Sequence, residues 1–278
     1  GILLARSDII ADLIKKIKND NAKKEYYLTD IVKMASEHGY SSTYVQCEED
    51  ECLGINSQLE LSVAERKFQD DFRKKLMASG VSMPSPETCF FSHDTIIKSG
   101  CIIEPYAFFG TGVKIQSSTI IKSYSHIEGT HIGRHCQIGP FARLRPGTNL
   151  SGEVKVGNFV EVKNATLASK AKANHLTYIG DAKVGANTNI GAGTIFCNYD
   201  GKNKNRTIVG DNVFIGSNAS LIAPLKIGDA SIVAAGSAIN RDVPSESLAI
   251  ARPIQKNKLG LGKKIMLKLQ TVTDKLKR

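Results

Sequence analysis

Residues 178–216 read YIGDAKVGANTNIGAGTIFCNYDGKNKNRTIVGDNVFIG. Isoleucine or valine followed by glycine returns every five or six residues. Ten residues, Asn198 to Thr207, interrupt the rhythm, and it then resumes. Outward from this stretch the same period runs through most of the chain. Val209, Ile215, Leu221, Ile227, Val233 and Ile239 are spaced at six, as are Ile97, Ile103, Phe109, Ile115, Ile121 and Ile127. Ile132, Ile138, Leu144, Leu150, Val156 and Val162 follow after a one-residue deletion, and Val184, Ile190 and Phe196 form a fourth run. A period of six is neither the 3.6 of a helix nor the 2 of a simple strand. It predicts a short strand plus a corner, with one large apolar side chain turned inward per unit. Gly, Asn and Asp crowd the positions that follow, as corners with φ > 0 require. Three units close a triangular coil, and coils stack at the strand spacing of about 4.8 Å. Each coil buries its inward residues only against its neighbours, so the array must be long. The expected fold is therefore mainly β, a parallel β-helix of hexapeptide repeats.

The coils occupy residues 80–251, and resemblance to hexapeptide-repeat proteins, not the period, implies that the parallel β-helix is left-handed. Residues 1–58 read as the α/β remnant of a larger domain: a strand at ILLA, a helix capped by Asp8, a second helix from Asp30 and a strand at STYVQC. Residues 59–79 read as a linker helix, with Leu61, Ala64, Phe68, Phe72 and Leu76 at helical spacing and Gly80 at its end. The chain opens at Gly1 and not at a methionine, which suggests a fragment, and its first residues lack the order of a signal peptide.

The net charge of +10 is concentrated: residues 252–278 hold nine Lys or Arg and one Asp. This location argues against nucleic-acid binding by the body of the protein; the tail itself could bind RNA or acidic lipid, or reach the phosphates of a small ligand. No apolar run has the length of a membrane span. The six cysteines have no zinc spacing and read as reduced thiols of a cytoplasmic protein. His126, His131 and His135 with Cys136 straddle the deletion, which leaves their facing open.

Residues that break the coil pattern cluster in RLRPG (143–147), GNFVEVKNATL (157–167), ANHLTYIGDA (173–182) and GANTNIGAGTIFCNYDGKNKNRT (185–207). Arg145 and Lys163 are eighteen residues apart, the length of one coil, and should stack on one face. Two stacked cations repel unless an anion lies between them, which suits a phosphate or carboxylate ligand. A neutral imidazole at His175 is matched to removing a proton from an amine or hydroxyl near pH 7. Tyr178, Asn189, Asn198 and Tyr199 offer hydrogen bonds to a polyhydroxylated ligand. The loop 198–207 would bring Lys202, Lys204 and Arg206.

At these residues the chain resembles the bacterial bifunctional enzymes that are both glucosamine-1-phosphate N-acetyltransferase and N-acetylglucosamine-1-phosphate uridyltransferase. PFARLRPG, VGNFVEVKNA, NHLTYIGDA, NIGAGTIFCNYDG, VFIGSNASLIAP and NRDVP carry the resemblance in order and spacing. It implies His175 as general base, Arg145 and Lys163 on the sugar phosphate, and Tyr178 and Asn189 on the sugar. Ala192, Ser217, Ala235 and Arg252 would line an acetyl-CoA site that Asn198 and Tyr199 complete. The resemblance further implies a homotrimer with sites between prisms, and small-molecule substrates of cell-wall precursor synthesis. Asn56 would match a residue binding Mg2+ and a uridine nucleotide. The glycine-rich nucleotide loop and acidic Mg2+ ligand would precede Gly1, so Mg2+ and uridyl transfer are expected only of a full-length parent. Two other readings remain open: a non-catalytic trimeric scaffold, and an acyl-CoA transferase with another amino-sugar acceptor.

Overall fold

The structure, a computed structural model, describes residues 2–276. The chain divides into two units, Gly1–Asp70 and Asp71–Arg278, and the boundary falls inside the helix Gln58–Ala78. In the first unit, helices Ser7–Ile14 and Asp30–Glu37 bury Leu13, Ile31 and Ala35 against Ile9, Ile10, Ile17 and Met34. The two strands expected at ILLA and STYVQC do not form. A strand needs a partner for its backbone groups, and no strand exists among the described residues of this unit. Nor does Asp8 cap the first helix. Arg6 holds the N-cap position, and Asp8 sits in the first turn, where it pairs with Arg6 at 2.6 Å.

The second unit is a solenoid of three parallel sheets with nine, eight and nine strands. The first sheet begins at Phe90–Phe91, the second at Ile96–Ile97 and the third at Ile102–Ile103, and successive strands visit the three in turn. Every strand pairs with the one a full coil away. Phe90 aligns with Phe108 and Ile102 with Ile120. The inward column is the one the six-residue period marks: Ile103, Phe109, Ile115, Ile121, Ile127, Ile138, Leu144 and Val162 are wholly or almost wholly buried. Each such side chain contributes roughly 1.5–3 kcal/mol.

A second inward column lies two residues earlier, filled by small side chains. Thr119, Thr148, Thr188 and Ser231 are buried there. Each hydroxyl donates to a carbonyl of the next coil: Gly133, Val162, Gly210 and Pro244, at 2.8, 3.1, 2.8 and 2.8 Å. Cys101 and Cys136 occupy the same column and point their thiols at the carbonyls of Gln116 and Ser151. Burial pushes the Cys136 thiol up to about 11, so these cysteines are packing residues.

The glycines that follow inward residues are needed for a different reason from the one the sequence suggested. A Cβ on Gly191 would lie 2.5 Å from the Ile215 carbonyl oxygen, and one on Gly216 would lie 2.7 Å from the Ala235 Cα. The next coil's backbone takes that space. Positive φ occurs two residues further on, at Asn187, Gly193, Asn212 and Asn218. Along the edge between the third and first sheets the corner residues are often bulky instead. Tyr106, Tyr124, Phe141 and Phe159 all have φ between 55° and 63°. Their rings stack in sequence at 5.0, 4.9 and 5.2 Å, and this contact offsets the strain of the left-handed backbone.

His126 faces out from the first sheet and His131 from the second, while His135 stands at a corner with φ 56°. The three therefore do not converge. Beyond the coils, Leu261–Leu276 is helical, and Lys277 and Arg278 of the basic tail lie outside the described residues. No helix among the described residues is long and apolar enough to cross a membrane.

Candidate functional site

His175 ends the strand Lys172–His175 of the third sheet and stands exposed where that sheet turns into the first. Its Nδ1 lies 2.8 Å from Oδ1 of Asn158. Asn158 is its register partner one coil back, seventeen residues earlier. The amide oxygen can only accept, so Nδ1 donates and Nε2 keeps its lone pair. The sequence reading did not single out Asn158. Its signal was present: it sits in GNFVEVKNA, one seventeen-residue coil before His175.

Four expected residues continue along that same edge. The amide of Gly193 donates to the His175 carbonyl at 3.3 Å, that of Asn218 to Ala192 at 2.7 Å and that of Gly236 to Ser217 at 2.8 Å. These bonds align His175, Ala192, Ser217 and Ala235 in one column. Arg252 joins it from the last coil, its guanidinium donating to the Ala235 carbonyl at 2.9 Å.

The cations lie across the face of the first sheet. Arg143 aligns with Glu161 and Leu144 with Val162, which sets Arg145 beside Lys163. The stack is not two bare charges, however. Arg145 Nη1 donates to Glu161 Oε1 at 2.7 Å, with both side chains about one-third exposed. Lys163 has a further cationic neighbour, Lys204 from the loop 198–207. The Lys204 ammonium, and secondarily Arg145, hold Lys163 below the usual lysine range.

Tyr178 bridges the two ends of this face. Lys163 aligns with Gly180, and a Cβ on Gly180 would lie 2.6 Å from Tyr178 Cζ and 2.8 Å from Asn198 Nδ2. The tyrosine ring therefore lies along the strand toward Asn198. Asn198 is buried, and its amide donates to Asp181 Oδ2 at 2.5 Å, while Asn164 donates to Oδ1 at 2.6 Å. Asp181 thus ties the loop base to the coil before it. The loop is a small hairpin. Asp200 accepts from the amides of Lys202 and Asn203 and from the Asn205 side chain, which lowers its pKa to about 2. Tyr199 is exposed and donates to the Gly201 carbonyl at 2.6 Å.

Two expected residues stand apart. Asn189 lies on the third sheet, in register with Lys172 and Phe214, whereas Tyr178 lies on the first. The two flank the His175 edge from different faces. Asn56 belongs to the first unit, and its backbone amide donates to Glu60 at 2.6 Å. One amide side chain does not make a Mg2+ site, which wants carboxylates in octahedral array. No cluster of three metal-ligating residues exists among the described residues. A cleft of about 370 Å³ at another edge, lined by His135, Glu153, Lys155, Lys170, Lys172 and Asn187, holds none of the expected residues.

Residues 206–241 match the family model described as the hexapeptide repeat of succinyl-transferase. Among solved structures, LpxA from Acinetobacter baumannii is similar at 20% identity and a TM-score of 0.45, over 62% of this chain and 71% of that one. The bifunctional protein GlmU of Bartonella quintana (strain Toulouse) is 48% identical over 97% of this chain. That of Jannaschia sp. (strain CCS1) is 46% identical over 99%. The chain spans about 60% of the length of these curated relatives, and the similarity to the bifunctional GlmU proteins runs along almost all of its own length.

Proposed function

We propose that the chain transfers the acetyl group of acetyl-CoA to the amine of glucosamine 1-phosphate, with residues 80–251 as the acetyltransferase domain. The observation that carries this reading is the edge itself. A histidine with a free Nε2 stands at the head of the Ala192–Ser217–Ala235–Arg252 column, and an anion-binding trio lies across the adjoining face.

In this reading the neutral amine attacks the thioester carbonyl carbon. His175 Nε2 takes the proton as the N–C bond forms, and the CoA thiolate departs. Arg145, Lys163 and Lys204 hold the sugar phosphate. Glu161 fixes the Arg145 guanidinium, so its orientation precedes binding. Tyr178, with Asn189 from the other face, meets the sugar. The pantetheine arm runs along the column, and Asn198 and Tyr199 close the pocket. The cations of the tail lie on the phosphate side of CoA. No step runs through Mg2+.

The chain acts as a homotrimer in the cytoplasm. The exposed aromatic ladder Tyr106–Tyr124–Phe141–Phe159 supports this, since it runs along the edge that carries His175 and leads to exposed Leu176. A continuous apolar stripe of this kind suits a neighbouring copy, which would wall the open side of each site. The product is N-acetylglucosamine 1-phosphate, a cell-wall precursor.

The test is release of free thiol from acetyl-CoA by the purified chain, with glucosamine 1-phosphate against glucosamine and other amino sugars. Release that depends on the phosphorylated acceptor is expected. No release, or release indifferent to the phosphate, overturns the reading.

A further inference from the structure

A histidine acts as a base through one nitrogen only, and the other nitrogen decides which. The site therefore depends on whatever holds Nδ1. Asn158 is placed for this by several features at once. The strands Lys155–Asn158 and Lys172–His175 are each four residues long, where most strands of the solenoid have two or three. The extra length carries their pairing out to the corner, so that Asn158 aligns with His175. Gly157 permits it, because a Cβ there would run into the Asn174 carbonyl oxygen of the next coil. Asn158 then grips the corner twice. Its backbone carbonyl accepts from the Leu176 amide at 3.1 Å, and its side-chain oxygen accepts from His175 Nδ1 at 2.8 Å.

We propose that Asn158 is the positioning residue of His175: it locks the imidazole in the Nδ1–H tautomer and aims Nε2 at the acceptor amine. This rests on His175 being the base. The partner is an amide, and its neutrality has a consequence. A carboxylate at the same place would stabilise the imidazolium and raise its pKa, leaving less free base at neutral pH. An amide fixes the tautomer without adding a negative charge beside the ring. The titratable groups on surrounding elements are Lys155 and Lys172 on the two clamped strands and Glu161, Lys163 and Tyr178 on the strands that follow. None of them hydrogen-bonds the ring.

The test uses the full chain labelled with 15N-histidine, with His175→Ala to assign the signal. In the wild type the neutral His175 ring is expected to show a protonated Nδ1 and a bare Nε2. In Asn158→Ala the Nε2–H tautomer appears, and kcat falls roughly tenfold or more while KM for both substrates changes little. Asn158→Asp keeps an acceptor of the same shape. It should keep the tautomer and move the acidic limb of the kcat/KM profile to higher pH. A wild-type ring with Nε2–H overturns the proposal. So does an Asn158→Ala chain with unchanged tautomer and kcat, or an Asn158→Asp profile that does not move. The spectroscopy separates this proposal from the acetyl-transfer reading: a locked tautomer in a chain without acetyl transfer would remove the reaction and leave the hold of Asn158 on the ring.

Discussion

The coils from Phe90 to Ile138 and those from Arg143 to Ile222 share one interior and differ outside. In the first region, neighbouring strands align at eighteen residues, as Phe90 with Phe108 and Phe108 with His126, until the one-residue deletion sets Lys114 opposite His131 and Ile120 opposite Gln137 at seventeen. Outward positions there begin apolar, with Phe90, Ile96, Ile102 and Phe108, and turn polar at Lys114, His126, His131 and Gln137. In the second region the coil shortens to seventeen, as Glu161 with Tyr178 and Tyr178 with Ile195. It then lengthens to twenty-five where Lys183 aligns with Ile208 across the loop. Outward positions become Arg145, Glu161, Lys163, Tyr178 and His175. The interior sets a fixed frame, and a chain stacked on it is free to vary what each corner carries. Most of the expected site residues sit on the coils around the loop 198–207.

If this division is right, the two regions should separate activity from stability. His175→Ala should reduce acetyl transfer roughly 10²–10⁴-fold, the range of a general base. Its thermal midpoint should hold, because an exposed corner residue leaves both inward columns intact. A variant within a few-fold of wild type in thiol release would remove His175 from the chemistry. Phe109→Ala is the converse. It deletes a buried ring that stacks on Phe91 at 4.9 Å and should cost about 3–5 kcal/mol. Measured per folded molecule, its acetyl transfer should be unchanged. Equal losses in both assays would mean that the regular coils do more than support the site.

The two regions were also unequally legible in the sequence. The inward aliphatics could be read because six-residue spacing survives any outward substitution, and every residue of the four runs is buried. Between Leu167 and Val184 the pattern blurs because Ala173 takes an inward position with a side chain too small to mark it. His175 lies in that stretch, where the coil is one residue short, so its partner Asn158 is reached by counting back seventeen residues and not eighteen. Arg145 and Lys163 could be read as a stack because their coil still has eighteen residues. Glu161 and Lys204 could not, since one depends on a rotamer and the other on how a hairpin folds back. In the first unit the pattern of short apolar runs misled. Strand propensity at ILLA and STYVQC describes a side that could pair, not a partner to pair with.

A smaller effect probes the cations directly. Arg145→Ala should weaken binding of glucosamine 1-phosphate roughly tenfold to a hundredfold, the worth of a charge-assisted hydrogen bond, and leave acetyl-CoA affinity nearly unchanged. Calorimetric titration of each ligand distinguishes the two. Equal losses for both would place Arg145 outside the phosphate site and return it to its pair with Glu161.

The smallest effect concerns Lys163, whose pKa in the folded chain is lowered first by Lys204 and then by Arg145. In the unfolded chain it returns to about 10.4. Between the lowered value and the ordinary one the unfolded chain binds more protons, so stability rises with pH across that window. Below it, the crowded charges cost the free chain stability. A phosphate dianion among them reverses the sign. It favours the charged lysine, raises its pKa, and so draws in a fraction of a proton when it binds near the lowered value. Binding should therefore weaken as pH climbs through that value, and added salt should blunt the change. Titrations in buffers of different ionisation enthalpy measure the uptake. Lys204→Ala should diminish it, lower phosphate affinity and leave the ligand-free chain no less heat-stable. Binding with no proton uptake in wild type, or a free chain that Lys204→Ala destabilises, would show that the three cations do not act as one anion site.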